Sequence, residues 1–94
     1  MKVIAHRDQV RETWRPGVET RMHVSAGNGA TQLCIFEQWV AQAAGAPTHA
    51  HPVEEVLTVI SGSEPLHIHA VLASAVFEAM PDGSAEPVRR WLPE

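Results

Sequence analysis

The sequence has little of several features that mark particular classes of protein. It contains one cysteine, Cys34, and no tyrosine among 94 residues. A single cysteine cannot form a disulfide within the chain, which agrees with a reducing compartment. No tract is apolar over the roughly 20 residues that cross a bilayer, and the first ten residues become charged too early for a signal peptide. We therefore expect a soluble cytoplasmic protein.

Positive charge is also scarce. Seven Lys and Arg stand against eleven Asp and Glu, and the formal net charge is −4. The only adjacent basic pair, Arg89-Arg90, is interpreted as a solvated surface pair. Because nucleic acids and acidic membrane surfaces are bound largely through positive charge, neither is an expected partner.

The length fits one small domain, residues 1–94. A chain of this size buries only about 60–65% of the surface that its unfolded form exposes. Association with a second copy would bury more, so a homodimer or larger assembly is expected.

Strand signals dominate what is present. β-branched or alternating residues fill four segments: Val18–Val24, Thr31–Val40, Glu55–Ser61 and Pro65–Leu72. Glycine and proline separate them, which predicts tight turns. The pattern indicates an all-β sandwich or barrel.

Three further segments are predicted from weaker signals. Ala73–Met80 is predicted as a strand, although its alanines also favour helix. Asp8–Trp14 allows a short helical turn. The tail Glu86–Glu94 is predicted to be an extended arm that docks Trp91 on its own chain or on a neighbour.

Two histidines precede the third strand segment. In an extended strand alternate side chains share a face, so His49 and His51 point the same way. Glu55 has the same parity beyond Pro52, where the fixed φ and missing N–H allow a bend that returns the carboxylate towards the imidazoles. This ligand set suits Fe, Mn, Zn, Ni or Cu and predicts a site for a divalent transition metal ion. The alternative is a polar strand end near solvent.

The segment Thr48–Gly62 resembles the first sequence motif of the cupin superfamily: histidine, any residue, histidine, three or four residues, glutamate, six residues, glycine. The match is complete from His49 onward. The glycine that usually opens the motif is replaced by Ala43, and Gly45 follows two residues later. After Gly62 the second cupin motif is missing, together with its histidine, commonly the fourth metal ligand.

The resemblance implies a cupin-like, jelly-roll type β-barrel that is incomplete in one chain. Such a barrel has exposed edges, so completion by dimerisation or strand exchange is expected. The resemblance also implies metal ligation by His49, His51 and Glu55, with activity such as metal-dependent dioxygenation or isomerisation of a small molecule. The alternative is a non-catalytic small-molecule-binding or interaction module whose metal site is structural or empty.

Other candidate residues have simpler interpretations. His67 and His69 form a second His-x-His that could supply a fourth ligand, but partly buried or interfacial histidines are the favoured interpretation. Cys34 is expected to be a buried, inert thiol. Glu37 and Gln38 are candidates for contacts behind the metal ligands.

Overall fold

The computed structural model describes residues 5–42, 44, 49–63, 65–83 and 85–93. The motif positions Ala43, Gly45 and Thr48 lie outside these ranges. Within them the chain is all-β with two short 3-10 turns, His6–Asp8 and Ala26–Asn28. The described strands are β1 (Arg11–Arg15), β2 (Val18–Val24), β3 (Cys34–Val40), β4 (His49–Ala50), β5 (Glu55–Ser61), β6 (Leu66–Leu72), β7 (Phe77–Pro81) and β8 (Val88–Arg90). The all-β prediction is confirmed.

The strands form two antiparallel sheets. The larger has the order β1-β2-β3-β6-β5, and the smaller has the order β4-β7-β8. The described strands do not join into one closed barrel. Strand β5 pairs with β6 alone among them and is therefore an edge strand. No helix among the described residues is long and apolar enough to cross a membrane.

Two of the predicted strands have the predicted bounds, β2 and β5, and the others begin later. Strand β3 starts at Cys34 rather than Thr31, since the chain first leaves the 3-10 turn through Gly29, whose φ is 103°. Strand β7 starts at Phe77 rather than Ala73. The hydroxyl of Ser74 accepts from the Val76 N–H and donates to the Val76 carbonyl, which holds residues 73–76 in a bend.

The helical turn considered for Asp8–Trp14 is wrong for most of that segment. The 3-10 turn ends at Asp8, and Trp14 lies in β1. Strand β1 pairs with β2 around a Pro16-Gly17 turn, in which Gly17 has a φ of 79°. A Cβ at Gly17 would also lie 2.8 Å from the Ala44 Cβ, so glycine is required here both by conformation and by space. Pairing between strands overrides the weak local preference for helix.

The core between the sheets is built around aromatic rings. Trp14 packs on Phe77 with ring centroids 5.0 Å apart, and Phe36 lies 5.7 Å from Phe77. Trp91 packs 5.3 Å from Phe36, and its indole N–H donates to Glu12 at 2.7 Å. The predicted aromatic anchor of the tail therefore docks on its own chain.

Cys34 is fully buried in the same core. Burial raises the pKa of the thiol to about 12. The thiol is protonated at neutral pH and lacks the thiolate that a nucleophile needs, as expected from the sequence.

Candidate functional site

A cavity of about 230 Å³ lies between the inner faces of the two sheets. Both sheets contribute to its wall, and most of the wall is apolar. The lining residues are Trp14, Arg15, Val18, Phe36, Gln38, His49, His51, Glu55, Leu57, Ile68, Phe77, Ala79, Pro81, Val88 and Arg90. A few polar groups in an apolar cavity of this kind are typical of small-molecule sites.

All three predicted metal ligands line this cavity. His49 lies on β4 opposite Pro81 of β7, His51 follows directly, and Glu55 begins β5. Glu54 is exposed and does not contribute. The bend at Pro52 thus brings the carboxylate of Glu55 back to the imidazoles, as the parity argument predicted.

His51 is held from both sides. Its Nδ1 lies 2.7 Å from the backbone oxygen of Glu78, and its Nε2 lies 3.3 Å from Oε2 of Glu55. A carbonyl oxygen can only accept, so Nδ1 carries the proton and donates. Phe77 packs against the ring at a centroid distance of 5.4 Å. The ring is therefore oriented with Nε2 towards the carboxylate.

His49 completes the group by packing on His51. The two ring centroids are 4.9 Å apart, and the rings are nearly perpendicular at 86°. As the side chains stand, no group of three or more His, Cys, Asp or Glu within the described ranges is arranged to hold a metal ion. The contacts of His51 with Glu55 and with His49 are thus two pairwise contacts rather than a closed ligand set.

The second His-x-His lies on the other side of the larger sheet. Ile68 lines the cavity, and its neighbours His67 and His69 alternate to the outer face. There His67 Nε2 lies 2.5 Å from Glu37 Oε2. Within one chain these histidines cannot supply a fourth ligand to His51 and Glu55.

Gln38 and Glu37, the two residues expected to contact the metal ligands from behind, lie on opposite faces of the sheet. Gln38 lines the cavity and donates to the hydroxyl of Thr20 at 3.1 Å. Glu37 contacts His23 and His67 on the outer face instead. The expectation that both support the same site is therefore wrong, because neighbours in a strand face opposite ways.

Sequence reasoning gave Arg90 no role in a cavity, although its side chain lines this one. Arg89 is exposed and pairs with Glu78, whereas Arg90 pairs in register with Phe77 and shares its inward face. The interpretation of Arg89-Arg90 as a solvated pair is wrong for Arg90. The alternation of side chains along a strand could have predicted this, because Val88 and Arg90 point to the same face. Both residues line the cavity.

Comparison with protein-family models, curated proteins and solved structures found no match to this chain. The likeness to cupins consequently depends on the resemblance of the sequence alone.

Proposed function

We propose that the chain is a cupin-like, cytoplasmic metal-binding protein that holds a divalent transition metal ion at the cavity wall through His51, Glu55 and His49. The observation that carries the proposal is the His51–Glu55 contact. With Nδ1 donating to the Glu78 carbonyl, His51 presents Nε2 to a carboxylate oxygen 3.3 Å away. A carboxylate only accepts, so either a cation or a proton on Nε2 must lie between the two atoms.

A metal ion would meet this requirement. Ligands bound about 2.1 Å from a tetrahedral ion lie about 3.4 Å apart, close to the separation of Nε2 and Oε2. Metal-ligating histidines also commonly donate their other ring N–H to a carbonyl, as His51 does to Glu78. His49, packed on His51, is the third ligand in this proposal.

When bound, such an ion would polarise a carbonyl oxygen of a small molecule or support oxygen-dependent chemistry. The cavity provides the space for that molecule beside His51 and Glu55. Dioxygenase or isomerase activity is the catalytic form of the proposal. The non-catalytic form is a small-molecule-binding module in which the ion only orients the ligand.

The rival explanation is a proton. If Nε2 is protonated, His51 and Glu55 form an ion pair at 3.3 Å, and the pair only braces the start of β5. The site would then need no metal, and the chain would be a binding or interaction module.

Metal titration separates the two explanations. We expect purified protein treated with EDTA to take up one Co²⁺ or Zn²⁺ per chain at neutral pH, with His51→Ala and Glu55→Gln each weakening binding at least tenfold. Glu54→Gln is the matched acidic control, and His69→Ala reports any binding on the outer face. Loss of binding in His69→Ala alone, or no uptake by the wild type, would refute the proposal.

The Glu55→Gln variant controls for misfolding, because it keeps the shape of the side chain.

A metal-loaded protein without turnover in oxygen-dependent and isomerase assays would support the non-catalytic form.

We further propose that two copies associate through β5. This strand has no second partner among the described strands, and it carries four exposed apolar residues, Val56, Leu57, Val59 and Ile60. Leu57 also lines the cavity, so a second copy along β5 would lie beside the cavity.

A further inference from the structure

Two residues that line the cavity each carry a buried N–H donor without an acceptor among the described residues. Arg90 Nε and Trp14 Nε1 are both inaccessible to solvent, and neither has a hydrogen-bond partner within the described residues. Both residues line the cavity. A buried donor left unsatisfied costs about 1–3 kcal/mol, so native structures rarely keep one without a reason.

The two residues belong to one arrangement. The guanidinium carbon of Arg90 lies 4.1 Å from the centroid of the Trp14 ring. Register with Phe77 turns Arg90 inward, and Trp14 packs on Phe77 at 5.0 Å. The contact of Arg90 with Trp14 restricts the motion of the guanidinium before any ligand arrives, which reduces the entropy lost on binding.

The charge of Arg90 is not matched by a direct contact. No described residue forms a salt bridge or a hydrogen bond with its side chain. Burial lowers the pKa of Arg90, and nearby Arg15 lowers it further, while Glu12 opposes both. The group nevertheless stays charged, because an arginine retains its proton under all ordinary conditions. A partly buried cation without a direct anionic partner among the described residues favours an anion close to it.

We propose that Arg90 and Trp14 form a subsite for the carboxylate of a small organic acid, whose body fills the apolar part of the cavity. The subsite deepens the proposed function by naming a ligand class, and it rests on that proposal only for the role of the cavity as a binding site. The planar fork of a guanidinium matches a carboxylate in geometry and in charge.

The surroundings favour one negative charge over two. The positive charges of Arg15 and Arg90 are opposed by Glu55, which lines the same cavity, and by Glu12, which acts on the pKa of Arg90. A phosphate group would bring a second negative charge near these carboxylates. The apolar lining from Phe36, Ile68 and Phe77 also favours an organic body over a small inorganic ion.

Nuclear magnetic resonance on metal-free protein tests the subsite directly. The probes are benzoate and benzamide, which share shape and differ in charge, and inorganic phosphate. We expect benzoate to bind about tenfold or more tightly than benzamide, because a charge-assisted hydrogen bond adds about that factor. Benzoate should shift the Trp14 indole and Arg90 Nε–H signals, and phosphate should leave them unmoved. Equal binding of benzoate and benzamide would overturn the proposal, and a stronger response to phosphate would overturn the choice of carboxylate.

Variants assign the effect to the subsite. Arg90→Gln should abolish the preference for benzoate, and Trp14→Phe, which keeps a ring but removes the N–H, should reduce it. Arg89→Gln is the matched control, since it removes the same charge from the exposed neighbour and should keep the preference. If Arg90→Gln fails to fold, Trp14→Phe and Arg90→Lys carry the test. A preference that survives Arg90→Gln and is lost in His51→Ala would assign the anion to the imidazoles instead.

The two proposals fail separately. Metal uptake without a benzoate preference would remove the anion subsite and leave the metal site. A benzoate preference without metal uptake would leave the subsite in a non-catalytic binding module.

Discussion

Glu37 shows how one side chain organises the outer face of the larger sheet. Its carboxylate contacts His67 Nε2 at 2.5 Å, His23 Nε2 at 3.1 Å and Arg21 Nη1 at 3.5 Å. Burial acts to raise the pKa of Glu37, but the hydrogen bond with His67 and the charges of His23, His67 and Arg21 outweigh it, so the pKa is lowered. The ionised form is therefore favoured by the fold.

This shift predicts a pH-dependent contribution to stability. A carboxyl with a lowered pKa stabilises the fold fully above its unfolded pKa of about 4.3, and the stabilisation is lost as the pH falls towards the folded value. We expect Glu37→Gln to cost about 1–3 kcal/mol at neutral pH and progressively less as the pH falls through the lowered pKa of the native carboxyl. Urea unfolding across this range measures the difference.

Glu19→Gln is the control for the Glu37 prediction. Glu19 is half exposed, and its pair with Arg11 is a surface ion pair, so its removal should cost less than about 1 kcal/mol at neutral pH. A difference between wild type and Glu37→Gln that stays constant from neutral to acid pH would contradict the assigned role of the carboxylate.

Cys34 gives a second prediction at this scale. Because burial raises its pKa to about 12, the native protein should not react with a disulfide reagent at mildly alkaline pH. The same reagent should modify one thiol per chain after unfolding in guanidinium chloride. Rapid modification of the native protein would show that the core around Cys34 opens readily.

At the scale of the elements, the C-terminal tail contributes to stability mainly through one side chain, Trp91. Trp91 packs against Phe36, Phe77 and Trp14, and it adopts a left-handed φ of 58° to do so. We expect Trp91→Ala to reduce the free energy of unfolding by about 2–4 kcal/mol, since a large, partly buried ring leaves the core. Leu92 is 56% exposed, and Leu92→Ala should change stability by less than about 0.5 kcal/mol. Equal losses in thermal or urea unfolding would mean that the tail does not dock through its tryptophan.

The elements also show where sequence reasoning succeeds. Strands β2 and β5 could be bounded from their β-branched content and from the glycine and proline residues beside them. His49, His51 and Glu55 could be brought towards one another by parity and by the bend at Pro52, and all three line one cavity. These arguments work because side-chain direction in a strand is a local property.

Other features depend on partners distant in sequence. The inward turn of Arg90 follows from its register with Phe77, and the strand at Trp14 follows from pairing with β2. Neither feature can be predicted from the local residue preferences for helix or strand. The opposite faces of Glu37 and Gln38 were predictable by alternation, but the side that faces the cavity is determined only by how the two sheets pack.

In the whole molecule, the two sheets differ in size, and this difference leaves β5 uncovered. Of its residues, Val59 is 61% exposed and Ile60 is 53% exposed. Strands of this kind are aggregation-prone when left open, and native proteins usually pair or protect them. Apart from Glu55 at its start, β5 carries no charged residue that would oppose pairing.

The proposed association through β5 yields the prediction for the whole molecule. Two antiparallel copies of β5 related by a twofold axis would join both large sheets into one and bring the apolar side chains of the two strands into contact with each other. Sedimentation equilibrium of the wild type should then give about twice the chain mass of 10.3 kDa. Val59→Lys should shift the protein to the monomer, because a charged lysine on the edge resists burial.

Val10→Lys is the control for this prediction, since Val10 is 78% exposed and precedes β1 at the opposite edge of the sheet. A wild type that is monomeric at every concentration, or a dimer that Val10→Lys disrupts as strongly as Val59→Lys, would exclude β5 as the interface and leave the cavity to be closed by its ligand.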